Sequence, residues 1–168
     1  ALYVISFEQA IGYVDFEVIF LVLGMMIIVG TIERTGIFQW TAYQAYRVSR
    51  GRLWLLVVIL MVLTSVASAL LDNVTTMLLV APITLQIALT LRVNPLALLI
   101  PEMLASNVGG ITTLIGTPNN ILIGSYAGLG FNDFLRNLTP GVLMVQVALT
   151  LYVLWVFRNS YRGDDATD

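Results

Sequence analysis

The chain has 168 residues, of which 58% are hydrophobic and only 11% charged, and its net charge is −2. A soluble domain carries about a quarter charged residues, so this composition belongs to a surface that faces lipid. Histidine and cysteine are absent and all eight basic residues are arginine. This excludes disulfides, thiolate or imidazole metal centres, Cys nucleophiles and His acid–base chemistry, and it leaves no basic face for nucleic acid.

The chain begins at Ala1 and enters an apolar run with no basic leader or cleavage signal, the pattern expected of an internal piece of a longer protein. Leu2 to Tyr13 reads as the tail of an earlier helix or a loop. Residues 16–32 make the first expected transmembrane helix, long enough for a hydrocarbon core of about 30 Å and closed at an interface by Glu33-Arg34. Residues 35–50 mix Phe38, Trp40 and Tyr43 with Gln39, Gln44, Arg47 and Arg50, which suits a helix lying in the interface plane; a short span is the alternative.

Residues 53–91 read as a re-entrant hairpin. Leu53 to Leu71 is an apolar arm that runs straight into Asp72-Asn73-Val74-Thr75-Thr76, and Met77 to Leu91, carrying Pro82, looks short for a full span. A polar tip at membrane depth is tolerated only where protein or trapped water satisfies it. Residues 96–125 form an apolar stretch interrupted at Asn107 to Gly110 and at Gly116 to Asn120, where glycine and Pro118 break a helix. A polar loop over 127–138, a last span over 140–157 and a cytoplasmic tail over 158–168 complete the expected order. This topology puts Arg34, Arg47, Arg50, Arg52, Arg92, Arg158 and Arg162 on one side and Arg136 alone on the other, as the positive-inside rule requires.

The fold class is therefore an all-α membrane protein of transmembrane helices with a re-entrant hairpin and a discontinuous helix. Such breaks mark binding sites, because unwound backbone needs ligands or solvent. Asp72 is one of two acids in the apolar interior, and an intramembrane carboxylate binds an ion, carries a proton or pairs with a base. Asn73, Thr75 and Thr76 add neutral oxygens of the kind hard cations prefer. The alternative is that Asp72 only caps the helix beginning at Asn73. The second candidate element, Gly109 to Asn120, supplies Thr112, Thr113, Thr117, Asn119 and Asn120. The other acid, Glu102, is either a proton carrier or a group near the cytoplasmic interface. The glycines lack the Gly-Lys-Ser/Thr ending of a phosphate loop, so ATP binding is excluded, and no nucleophile–base pair supports an enzyme.

The run from Ala69 through Asp72-Asn73-Val74-Thr75-Thr76 to Pro82 resembles the hairpin motif of the arsenite permeases and P proteins, within the ion transporter superfamily that includes citrate transporter-like proteins. Ser106-Asn107-Val108-Gly109-Gly110 through Gly116-Thr117-Pro118-Asn119-Asn120 is similar to that superfamily's second motif. The resemblance implies an elevator-type secondary transporter of two inverted repeats, of which this chain would be most of the first, in a homodimer in the plasma (inner) membrane. It also implies an ion or small-anion substrate, coupling to sodium or protons, and no organic cofactor. Sodium/proton antiport and citrate or dicarboxylate carriage are the alternatives, with a passive channel further off.

Carried over by the motif, the binding residues are Asn73, Gly109, Gly110, Thr113, Gly116, Thr117, Pro118 and Asn120; the polar chemistry of the two elements adds Asp72, Thr75, Thr76, Asn107 and Asn119, with sodium assigned to Asp72 and Asn73. Asp72 stands where the dicarboxylate carriers have serine, which moves the chain toward the arsenite permease and P protein branch. Asn119 stands where the superfamily usually has a second proline.

Overall fold

The computed structural model describes residues 11–12, 14, 16–159 and 161. The expectations for Leu2 to Tyr13, for Arg162 and for most of the 158–168 tail fall largely outside them. Among the described residues the regular elements are all helices: α1 (Phe16–Glu33), α2 (Ile37–Ser49), α3 (Leu53–Leu71), α4 (Asn73–Leu91), α5 (Leu96–Gly110), α6 (Pro118–Ala127) and α7 (Phe131–Val156). Three of these, α3, α4 and α7, are long and apolar enough to cross a membrane.

The hairpin is α3 and α4 joined by Asp72 alone. Each arm has 19 residues, about 28 Å at helical rise. The second arm is thus not short, because Asn73 to Thr76 form its first turn instead of a loop. Its antiparallel course is fixed at the feet, where Ile87 and Leu91 of α4 pack beside Leu56 and Leu60 of α3 and Ala45 of α2. Turning so sharply forces Asp72 to φ 129°, ψ 161°, a region costing a non-glycine residue about 1–3 kcal/mol. The compensation is local: Asp72 Oδ1 accepts from the Thr75 N–H at 2.8 Å and Oδ2 from the Thr75 hydroxyl at 2.6 Å, an N-cap of the kind worth about 1 kcal/mol.

α5 packs most closely against α3. Small residues on both helices make this approach feasible, as is usual between membrane helices. An added Cβ on Gly109 would lie 2.1 Å from the Ser65 carbonyl oxygen, and Ala105 and Ser106 are fully buried. The seven non-helical residues 111–117 then separate α5 from α6. The break is narrower than the motif spacing suggests. Asn107 to Gly110 are the last turn of α5, and Pro118 is the first residue of α6, a position where its missing N–H costs nothing.

α7 starts earlier than expected. The polar stretch assigned to a loop over 127–138 closes α6 and opens a 26-residue helix at Phe131, with Asp133 Oδ2 accepting from the Gly130 N–H at 2.9 Å. That first-turn carboxylate starts the helix, and Pro140 is carried inside it. At its far end Val153 packs with Leu98 and Ala105 of α5, and the Tyr161 hydroxyl donates to Ala97 O at 2.9 Å. Pro101 has no N–H to offer that carbonyl four residues back, so Tyr161 fills the vacancy that Pro101 creates.

The outer faces are apolar, with Leu78, Val74, Met144, Leu143 and Leu122 all more than half exposed, while Ser68, Thr76, Thr84, Glu102, Ser106 and Thr113 are buried. Apolar outside and polar inside is the arrangement of helices that face hydrocarbon.

Candidate functional site

The hairpin tip and the helix break meet. Asn73, the first residue of α4, donates from Nδ2 to Asn107 Oδ1 at 2.9 Å, and Asn107 in turn donates to Met103 O at 2.8 Å. The Ser106 hydroxyl donates to Asn73 O at 3.1 Å, with Ser68 Oγ 3.3 Å away, and Ser68 donates to Ser106 O at 2.7 Å. The Thr113 hydroxyl donates to Ala69 O. The last turn of α3 and the first turn of α4, on either side of the tip, are thereby tied to α5 and the break.

The break itself is held open by Asn120. Its side-chain amide donates to Thr113 O at 2.8 Å, Ile111 O at 3.2 Å and Gly110 O at 3.4 Å, spanning the carbonyls that an uninterrupted helix would have satisfied. Thr113 accepts from the Gly116 N–H at 3.0 Å, and Thr117 caps α6 by accepting from the Asn120 N–H at 3.3 Å. Gly110 and Gly116 are in backbone contact, since an added Cβ on either would fall within 2.7 Å of the other's carbonyl oxygen. None of these three site glycines has positive φ. Their lack of a side chain admits neighbouring backbone, and unusual dihedrals are not the reason for them.

Of the residues singled out from the sequence, Asn73, Asn107, Gly109, Gly110, Thr113, Gly116, Thr117 and Asn120 come together in this junction. Asp72 and Thr75 bond to each other at its rim. Thr76 is fully buried one turn into α4, with its hydroxyl unpartnered. Pro118 and Asn119 are exposed on the outer side of α6 and shape the break instead of lining it. Ser68 and Ser106 were not singled out, although they form the centre of the network. The available signal was a serine one turn before a polar tip and another one residue before Asn107, both inside otherwise apolar runs.

The donor set is oxygen throughout: hydroxyls of Ser68, Thr76 and Ser106, the Asn107 amide, the Asp72 carboxylate and freed carbonyls. Among the described residues no three His, Cys, Asp or Glu side chains cluster. Oxygen ligands of low total charge suit a monovalent hard cation such as sodium.

Helices that carry their polar groups inward and interlock at two breaks define an integral, multi-pass membrane protein of the transport class. The family follows: residues 1–167 match the citrate transporter family model, and the chain belongs to that family. An uncharacterized transporter of Mycobacterium tuberculosis is 49% identical over 136 residues, covering 81% of this chain and 32% of the relative. The 46 kDa membrane protein of Mycobacterium leprae is 45% identical over 90% of the chain and 35% of the relative. The human P protein is 40% identical over 95% of the chain and 20% of the relative. The chain thus spans about a third of the mycobacterial relatives and a fifth of the P protein.

Proposed function

We propose that this chain is the ion-binding half-site of a secondary active transporter that moves an ion or small anion by coupling to sodium or protons. The observation that carries the reading is the bonding of the hairpin tip to the end of α5, Asn73 to Asn107 and to Ser106, and of the helix break to the last turn of α3, Thr113 to Ala69 O. Polar side chains that meet where apolar helices end, with Ser68 and Ser106 buried and Asn107 exposed, supply ligands where lipid supplies none. Sodium would be held by the oxygens of Asn73, Ser68, Ser106 and Asn107 with the Asp72 carboxylate at the rim, and its charge would attract an anionic substrate to the same junction.

The substrate classes this suits are arsenite-like oxyanions and organic anions, citrate included. In this reading the feet of the hairpin, Arg52 and Arg92, face the cytoplasm, and its polar tip is satisfied by α5 and the break. The shared network implies that hairpin and broken helix move as one block against the remainder of the full-length protein.

The test uses the full-length protein in liposomes. The carrier reading expects accumulation of substrate against its gradient when sodium or protons flow inward. Asp72→Asn is expected to abolish that coupled uptake while leaving membrane insertion unchanged. Downhill flux alone would make the protein a channel, and undiminished coupling in Asp72→Asn would remove the tip carboxylate from the mechanism.

A further inference from the structure

We propose that Glu102 is a proton-binding site of its own, separate from the Asp72 tip, and that it is the proton-carrying group of this block of helices. The proposal rests on the transporter reading above.

α3, α4 and α5 contain one ionisable side chain between them, Glu102. It is 1% exposed. Its Oε1 accepts one hydrogen bond, from the Thr84 hydroxyl at 2.9 Å, and its Oε2 is buried with no partner. Around it, Leu98 and Ala105 belong to an apolar cluster with Val57, Met61 and Ala88.

Among the described residues no cation reaches it from the elements packed against α5. α3 and α4 bring no titratable group. α7 brings Asp133, Arg136 and Tyr152, all exposed, and Arg136 lies about 26 Å along the helix from Val153, the residue of α7 that packs on α5. Tyr161 meets α5 at Ala97 O. A lasting charge in such a place is among the costliest arrangements a membrane protein can hold. A proton on Oε2 forms one O–H bond, neutralises the carboxylate and removes that cost, and its release returns the proton to water. Asp72 differs, because both its oxygens already accept from Thr75.

Two prolines border the seam between α4 and α5 beside Glu102. Pro82 on α4 and Pro101 on α5 flank the Thr84–Glu102 bond, and each removes a backbone hydrogen bond from its helix. A groove of about 690 Å³ runs along the same seam, lined by Pro82, Leu99 and Met103 and ending at Asn73 and Asn107.

The experiment compares full-length wild type, Glu102→Gln, Asp72→Asn and Thr84→Val. Infrared difference spectra between low and high pH read the protonated carboxyl, and a pH-sensitive dye in proteoliposomes reads proton flux. Glu102→Gln is expected to lose the carboxyl band and the proton flux, whereas Asp72→Asn loses uptake and keeps the band. Thr84→Val is expected to move the midpoint of the band's pH profile, while Thr84→Ser leaves it in place. A role confined to packing would lower thermal stability in Thr84→Val without moving the midpoint, and would overturn the proposal. Wild-type band and flux in Glu102→Gln would do the same. If the band disappears in Glu102→Gln but no variant changes uptake, the proton site stands and the transport reading falls.

Discussion

Gly109 decides how close the hairpin and the broken helix can come. A methyl group there would sit 2.1 Å from the Ser65 carbonyl oxygen and 2.6 Å from the Ser65 carbonyl carbon. These are backbone atoms that cannot rotate away, so α3 and α5 must separate. Overpacking of this kind costs about 1–3 kcal/mol, and the separation would also stretch the Ser68–Ser106 bond. Gly109→Ala is therefore expected to lower the Tm of the purified full-length protein and to weaken substrate binding. Gly141 on α7 has nothing within 4 Å of an added Cβ, so Gly141→Ala should be neutral or slightly stabilising in the same melt, given alanine's higher helix propensity. Equal effects at the two positions would mean that the close approach of α3 and α5 does not govern stability. Asp72 shows the opposite economy: a strained backbone at φ 129° kept in place by two bonds to Thr75, since a strained residue persists only where its surroundings hold it.

The break between α5 and α6 is an element in its own right, and Asn120 is its keystone. Its amide serves three carbonyls of the α5 end and the loop. Asn120→Ala leaves buried acceptors unmet, at about 1–3 kcal/mol, and is expected to speed amide exchange selectively over 111–117. Asn119 is exposed, and Asn119→Ala should leave exchange there unchanged. Exchange equally fast in both variants would show that the loop is held by something else.

At the other end of α5, Tyr161 clasps the segment after α7 to Ala97 O, with the Phe157 ring stacked on its own at 6.1 Å between centroids. Burial pushes the Tyr161 phenol above its usual value, so the folded state holds that proton more tightly than the unfolded chain does. The clasp contributes fully below about pH 10, where an unfolded tyrosine is still neutral, and its contribution is lost as pH rises from there. The Tm gap between wild type and Tyr161→Phe is expected to be widest near neutral pH and to close above about pH 10; a gap independent of pH would leave the phenol proton without a part in it.

At the scale of the whole molecule the arginines report sidedness. Arg52 and Arg92 stand at the two feet of the hairpin, and Val93 and Phe157 pack on one cluster there, which brings Arg158 to the same end. Arg136 lies near the opposite end of α7. This chain has no cysteine, so in a full-length protein cleared of any other cysteine single substitutions can be labelled in intact cells with an impermeant maleimide. Arg52→Cys, Arg92→Cys and Arg158→Cys are expected to label from one side only and Arg136→Cys from the other. Labelling of Arg136→Cys and Arg92→Cys from the same side would invert the topology.

The sequence by itself determined that the protein lives in lipid and where most helices lie. Those properties reside in composition, in apolar run length and in residues such as Pro118 and Asn73 whose chemistry is local. It did not determine where α7 begins, because one hydrogen bond from Gly130 to Asp133 outweighs a polar stretch that reads as loop. Nor did it determine why the glycines are there, since Gly109 and Gly110 are helical and their purpose exists only once α3 and the 111–117 segment lie against them. Ser68 and Ser106 are 38 residues apart and become partners only when the hairpin folds back on α5. Tertiary structure alone decided those contacts, because a hydrogen bond or a close backbone approach is a property of positions in space, and neither residue of a pair carries any mark of the other.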